Sequence, residues 1–175
     1  MKKVIKLNFV PEKSLILNGF GKIDYADTYK IQIRSNDYSV DKITTDIFKV
    51  PKWVDSLMKL RDIIVQVFGL KTGDKNDVVI EPHYPKGSKA LYFTVLNRNE
   101  NEIVMAENDK HLNFRTSVMV EKDIASSIVY FSTIVQFNNF FGWLYFLPVK
   151  PFHRIIIKSL LKKYAHENQQ TDFPW

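Results

Sequence analysis

The sequence contains no cysteine. Disulfides, thiolate metal sites and cysteine nucleophiles are excluded at once, and the composition fits a reducing compartment. Long apolar runs are also missing. The most hydrophobic stretch, Phe140 to Val149, holds about ten residues and includes Pro148, whereas a membrane-spanning helix needs about 20. Near the start, Lys6 and Asn8 interrupt what would be the apolar core of a signal peptide, so a cytoplasmic protein is expected. Net charge is +6, yet no run of five or more basic residues occurs, which argues against a nucleic-acid tail. Gly19-Phe20-Gly21 lacks the third glycine of a dinucleotide loop, and no phosphate-loop lysine motif is present. No serine stands in a nucleophile-elbow sequence. The histidines, His83, His111, His153 and His166, lack metal-ligand spacing. No metal and no cofactor are therefore expected. Internal repeats and low-complexity segments are lacking too.

What is present suits one domain spanning 1–175. At 175 residues, folding buries roughly 70% of the surface that the unfolded chain exposes, enough for a core with a pocket. Thirteen Phe and eight Tyr supply aromatic surface for either a core or a pocket lining.

Periodicity gives the element order. The segment before Phe20 is mixed and resists assignment. Asp27 to Ile33 alternates and reads as a strand. Val40, Ile43, Ile47 and Phe48 suggest a short helix. Pro51 opens a longer one, with Trp53, Leu57, Leu60, Ile64, Val67 and Phe68 on one face and Gly69 as its stop. The period then changes to two. Strands are expected at Val78–His83, Ala90–Leu96, Glu102–Glu107, His111–Glu121 and Ala125–Phe137. Pro151 suits the first turn of a terminal helix whose apolar stripe is Phe152, Ile155, Ile156, Leu160 and Tyr164. A tail from Glu167 to Trp175 should be loosely ordered.

The hairpins test one another. A two-residue turn at Lys122-Asp123 would set Val118 against Ser127, Phe114 against Phe131, and Tyr130 opposite Arg115. A turn at Asn108-Asp109 would set Met105 against Leu112 and Ile103 against Phe114. Both keep one face apolar, which a slip of one residue would destroy. The expected fold is α+β, an antiparallel sheet with one apolar face covered by the C-terminal helix.

Four local motifs carry a resemblance. They are Pro51-Lys52-Trp53-Val54-Asp55-Ser56-Leu57-Met58-Lys59-Leu60-Arg61, then Phe68-Gly69-Leu70, Asp109-Lys110-His111-Leu112-Asn113-Phe114-Arg115 and Pro151-Phe152-His153-Arg154. In that order, over residues 25–165, the chain resembles a bacterial family of unknown function within the SRPBCC superfamily of START-like, birch-pollen-allergen-like proteins. The resemblance implies a helix-grip fold: a curved antiparallel sheet around a long C-terminal helix, two helices after the first strand, and a cavity between sheet and terminal helix. The wider superfamily mostly binds apolar small molecules, and some members are enzymes.

Two sets of candidate residues follow. Arg61, Ile103, Met105, Phe114, Phe131, Phe152 and His153 would line the cavity, with Val118 and Ile156 in the same layer. His153 is either a polar group at the cavity mouth or a packing partner at a helix start. Asp109, His111, Arg115 and Tyr130 form a possible polar cluster, because a forked Arg beside His suits a carboxylate or phosphate. They share the face opposite the apolar one, so a solvated surface is the alternative. Lys150, Arg154, Lys158 and Lys162 recur every four residues and should face water or an anionic surface. The first expectation is a binding protein for a small hydrophobic or amphipathic molecule. The alternatives are a lyase-, cyclase- or hydrolase-type enzyme, or a peripheral membrane or protein-interaction module using Phe140–Phe146.

Overall fold

The computed structural model describes residues 4–34, 38–49, 83–90, 93–124 and 126–168. The long helix expected from Pro51, with Arg61 in it, lies outside the described residues. So do most of the strand expected at Val78–His83 and the tail beyond Asn168.

Among the described residues, seven antiparallel strands form one open sheet. They are β1 (Ile5–Leu7), β2 (Tyr25–Ile33), β3 (Lys89–Ala90), β4 (Phe93–Arg98), β5 (Glu102–Asn108), β6 (Leu112–Lys122) and β7 (Ser127–Phe137). The order across the sheet is β1-β2-β7-β6-β5-β4-β3. Strands β3 to β7 make a meander, and β2 returns beside β7. Among the described residues there are two α-helices, α1 (Val40–Ile47) and α2 (Phe140–Glu167). Ser39 caps α1, its side chain accepting from the Lys42 N–H.

Alternation in β2, β5, β6 and β7 defines two faces. The front face carries Tyr29, Ile31, Ile103, Met105, Val118, Val120, Val129 and Phe131. These pack with Ile157, Leu160, Leu161 and Tyr164 of α2 and with Val40, Ile43 and Ile47 of α1. The back face carries Val104 and Ile134, closed over by Ile16 of a 3-10 turn at Leu15–Leu17. The unassignable N-terminal segment is thus a short edge strand and a cover for the sheet.

Both hairpins keep the expected faces but not the expected partners. Val118 stands opposite Phe131 rather than Ser127, and Phe114 opposite Val135 rather than Phe131. Met105 pairs with Thr116 rather than Leu112, and Ile103 with Val118 rather than Phe114. Arg115 pairs with Ile134, and Tyr130 with Met119. The cause lies in the loops, which are longer than two residues. The Asp109 N–H donates to the Leu112 carbonyl (2.9 Å) and the Asp123 N–H to the Ser126 carbonyl (2.8 Å). In each loop the aspartate carboxylate also accepts a backbone N–H, from His111 and from Ile124.

The terminal helix begins at Phe140, not near Pro151. Asn139 is its cap, Oδ1 accepting from the Gly142 N–H at 3.1 Å. Gly142 is required because a Cβ there would collide with the His111 carbonyl oxygen. Pro148 and Pro151 lie inside the helix. Each lacks an N–H, so the carbonyls of Leu144 and Leu147 lose their usual partners.

Candidate functional site

The front face is built of rungs that cross the sheet. One runs Tyr29, Phe131, Val118, Ile103; the next runs Asp27, Thr133, Thr116, Met105; the third runs Tyr25, Val135, Phe114, Glu107. The middle rung puts a carboxylate and two hydroxyls between two largely apolar rows. Alternation in β2 places Asp27 on the same side as Tyr25, Tyr29 and Ile31. Helix α2 then covers it.

Asp27 is 3% exposed. The Tyr25 hydroxyl donates to its Oδ2 at 2.5 Å, and Arg154 Nε donates to that hydroxyl at 3.2 Å. His153 Nε2 stands 3.5 Å from Asp27 Oδ1, an ion-pair distance too long for a well-made hydrogen bond. Five buried side-chain atoms have no hydrogen-bond partner among the described residues: Asp27 Oδ1, Tyr29 OH, Thr133 Oγ1, His153 Nε2 and Tyr164 OH. Four of these gather around Asp27. Two of them, Asp27 Oδ1 and His153 Nε2, face each other as the loose ion pair, and the Asp27 carboxylate acts on the Tyr29 phenol as well, so the cluster is loosely rather than fully satisfied.

Electrostatics agree with the geometry. Burial raises the Asp27 carboxyl, but His153, Tyr25 and Arg154 more than offset it, and the net shift is below the usual carboxylate range. Burial, then the Asp27 carboxylate, hold the Tyr25 phenol far above its ordinary value. The same two causes, in the same order, push Tyr29 up to about 12. At neutral pH the site is therefore an ionised carboxylate beside two neutral phenols.

Cations rim the site. Lys150 Nζ lies 5.1 Å from the Tyr25 ring centre, Arg154 5.6 Å from the same ring, and Lys158 5.9 Å from that of Tyr29. The expected basic line is therefore not simply solvated: three of its four members lie along β2. Aromatic rings form the other wall. Phe48 contacts Phe131 and Phe93, and Phe93 meets Phe114 edge-on at 5.2 Å.

Of the residues singled out from sequence, Ile103, Met105, Phe114 and Phe131 share these rungs, and His153 reaches the middle one from α2. Phe152 is 36% exposed on the outer side of α2. The possible polar cluster does not assemble. Arg115 is on the back face, where it donates to the carbonyls of Ile16 (3.0 Å), Asn18 (2.6 Å) and Gly19 (3.3 Å) and covers the Phe20 ring. Tyr130 donates to Glu121. His111 pairs with the Asn139 cap, and Asp109 shapes its own loop. The expected surface is in fact a covered one, because residues 8–20 fold over it.

Sequence reasoning missed Asp27, Thr133, Tyr25, Tyr29 and Arg154 as site residues. A signal existed for Asp27: in an alternating strand it shares parity with Tyr25, Tyr29, Ile31 and Ile33. Among the described residues no group of three His, Asp or Glu side chains could hold a metal ion. No described helix is long and apolar enough to cross a membrane.

No curated protein and no solved structure matches the chain. Residues 20–160 match a family described as protein of unknown function (DUF2867), a span close to that of the four motifs, and the chain belongs to that family.

Proposed function

We propose that this chain is a cytoplasmic helix-grip protein that binds a small amphipathic molecule between the front face and α2. The observation that carries the reading is the gathering around Asp27 of four buried polar atoms that make no well-formed hydrogen bond among the described residues. A ligand with a hydroxyl or similar polar end would donate to Asp27 Oδ1 and exchange hydrogen bonds with Tyr29, Thr133 and His153. Its apolar body would lie against Met105, Phe114, Phe131 and Ile103. Phe152 faces outward and Arg61 lies outside the described residues, so neither enters the proposal.

Native mass spectrometry of protein purified from its own host, followed by denaturing extraction, tests this reading. The expected result is a bound compound released on denaturation, with occupancy falling about tenfold in Asp27→Asn, the equivalent of one hydrogen bond of ~1.4 kcal/mol. An apo mass, together with no thermal shift from a panel of fatty acids, sterols and aromatic alcohols, would overturn it.

The Tyr25–Asp27–His153 chain favours a second reading, an acid–base enzyme on the same molecule. It requires the extracted compound to be converted by the wild-type protein and to be bound but left unconverted by Asp27→Asn.

A further inference from the structure

The outer side of α2 is apolar where the inner side already has its partners. Phe140, Leu144, Leu147, Pro151, Ile155, Lys158 and Lys162 follow at spacings of four and three, so they form one stripe along the helix. From Phe140 to Ile155 that stripe is apolar, and then it becomes cationic. Phe140 is 65% exposed, Phe141 55% and Ile155 55%, with Trp143 and Leu147 also open to solvent. Phe140 stacks on Trp143 at 5.4 Å, and Phe141 leans on His111. The stripe is held in place, because Gly142 and the Asn139 cap fix the helix start against the β5–β6 loop.

Charge decides what this surface meets. No Asp or Glu occurs in α2 before Glu167; Lys150, Arg154 and Lys158 bend back over the Tyr25 and Tyr29 rings and Lys163 toward Lys49 and Glu167, and Lys162 is exposed on the stripe, so the charge of the helix before Glu167 is wholly cationic. A partner surface of the same chain would set these cations against their own copies. A negatively charged lipid surface instead offers phosphates for the lysines and an interface in which Phe and Trp rings are at home. We infer that the outer face of α2 docks on anionic membrane surfaces, lying in the interface with Phe140, Trp143, Leu147 and Ile155 inserted and Lys162 on headgroups. This holds whether or not the front-face site carries a ligand.

Co-sedimentation of the full chain with vesicles of equal parts phosphatidylserine and phosphatidylcholine tests it, against pure phosphatidylcholine. The expected result is binding to the mixed vesicles, weakened by raised salt and near background on phosphatidylcholine. Phe140→Ser with Trp143→Ser should lower partitioning about tenfold or more, since two partly exposed aromatic rings lose their burial. Should that variant fold poorly, Lys162→Glu gives an independent reading, because its side chain is exposed and, among the described residues, contacts none of the front-face rings. It should lose binding about fivefold or more, at ~1 kcal/mol for a lysine near the surface. Absence of binding to the mixed vesicles would overturn the inference. So would unchanged binding by the charge-reversed variant, or a dimer in sedimentation equilibrium that Phe140→Ser with Trp143→Ser dissolves.

Discussion

The two faces of the sheet bury charge in opposite ways. On the back, Glu102 is 1% exposed and fully engaged: Ser14 Oγ donates to Oε1 at 2.5 Å, the Leu15 N–H donates to Oε2 at 2.8 Å, and Ser117 Oγ donates as well. Arg115, on the same face, holds three carbonyls of the 3-10 turn and its exit. On the front, Asp27 is as deeply buried, yet one of its oxygens has only the loose ion pair with His153, and that oxygen and three neighbouring polar atoms make no well-formed hydrogen bond among the described residues. Both carboxylates lie on long central strands under a covering segment. Burial alone therefore does not explain the difference. A face whose polar groups serve the fold pairs them all, and a face that leaves them open is arranged for something else.

Truncation should therefore be costly behind the sheet and cheap in front of it. The largest effect is expected at Glu102→Ala. It strands Ser14, Ser117 and the Leu15 N–H together and should cost roughly 3 kcal/mol or more in urea unfolding. A loss under about 1 kcal/mol would break the comparison at its strongest point. Next is Arg115→Ala, which frees three carbonyls and uncovers Phe20; about 2 kcal/mol is expected. Arg115→Lys should recover only part of this, because a point charge cannot reproduce a planar fork.

These same residues show what could be read in advance. Alternation identified the front face correctly at Ile103, Met105, Phe131 and Val118, because each hairpin slipped by an even number of residues and parity survived. The slip itself was invisible: Asp109 and Asp123 lengthen their loops through side-chain hydrogen bonds that composition does not announce. The start of α2 was hidden for a related reason. Two prolines inside a helix look like a beginning, while the real one depends on Asn139 and on a glycine needed only for the approach of His111. Arg115 and His111 looked like a site because, four residues apart in one strand, they share a face, but residues 8–20, which carry no periodic pattern, take up the arginine.

The front face should respond with the opposite sign. Thr133→Val replaces by a methyl group of similar size a hydroxyl with no partner among the described residues, and Tyr29→Phe deletes a phenol oxygen that makes no well-formed hydrogen bond among them. Removing a buried group that has no partner is neutral to stabilising, by up to about 1 kcal/mol each. Thermal unfolding of the ligand-free protein would check this. A loss above about 1 kcal/mol from either substitution would mean that these hydroxyls hold the fold after all, as their counterparts behind the sheet do.

Acid titration gives the smallest and most selective effect. The Asp27 carboxyl lies lower in the folded protein than in the unfolded chain, so its stabilisation is fully present above the ordinary carboxylate range. As pH falls through that range toward the lowered folded value, the unfolded state takes up the proton first, and the contribution disappears. Stability measured from pH ~6 to pH ~2 should therefore fall, and Asp27→Asn should flatten part of the slope. Asp41 and Asp46 are lowered too, each after its burial is overcome, by Arg98 with the Tyr84 N–H and by Lys42 with Lys49, so they supply a slope that Asp27→Asn leaves in place. The difference between the two titrations isolates the front-face carboxylate. An unchanged slope would mean that Asp27 is no better solvated by His153 and Tyr25 than by water, and the front face would then hold no charge poised for a ligand.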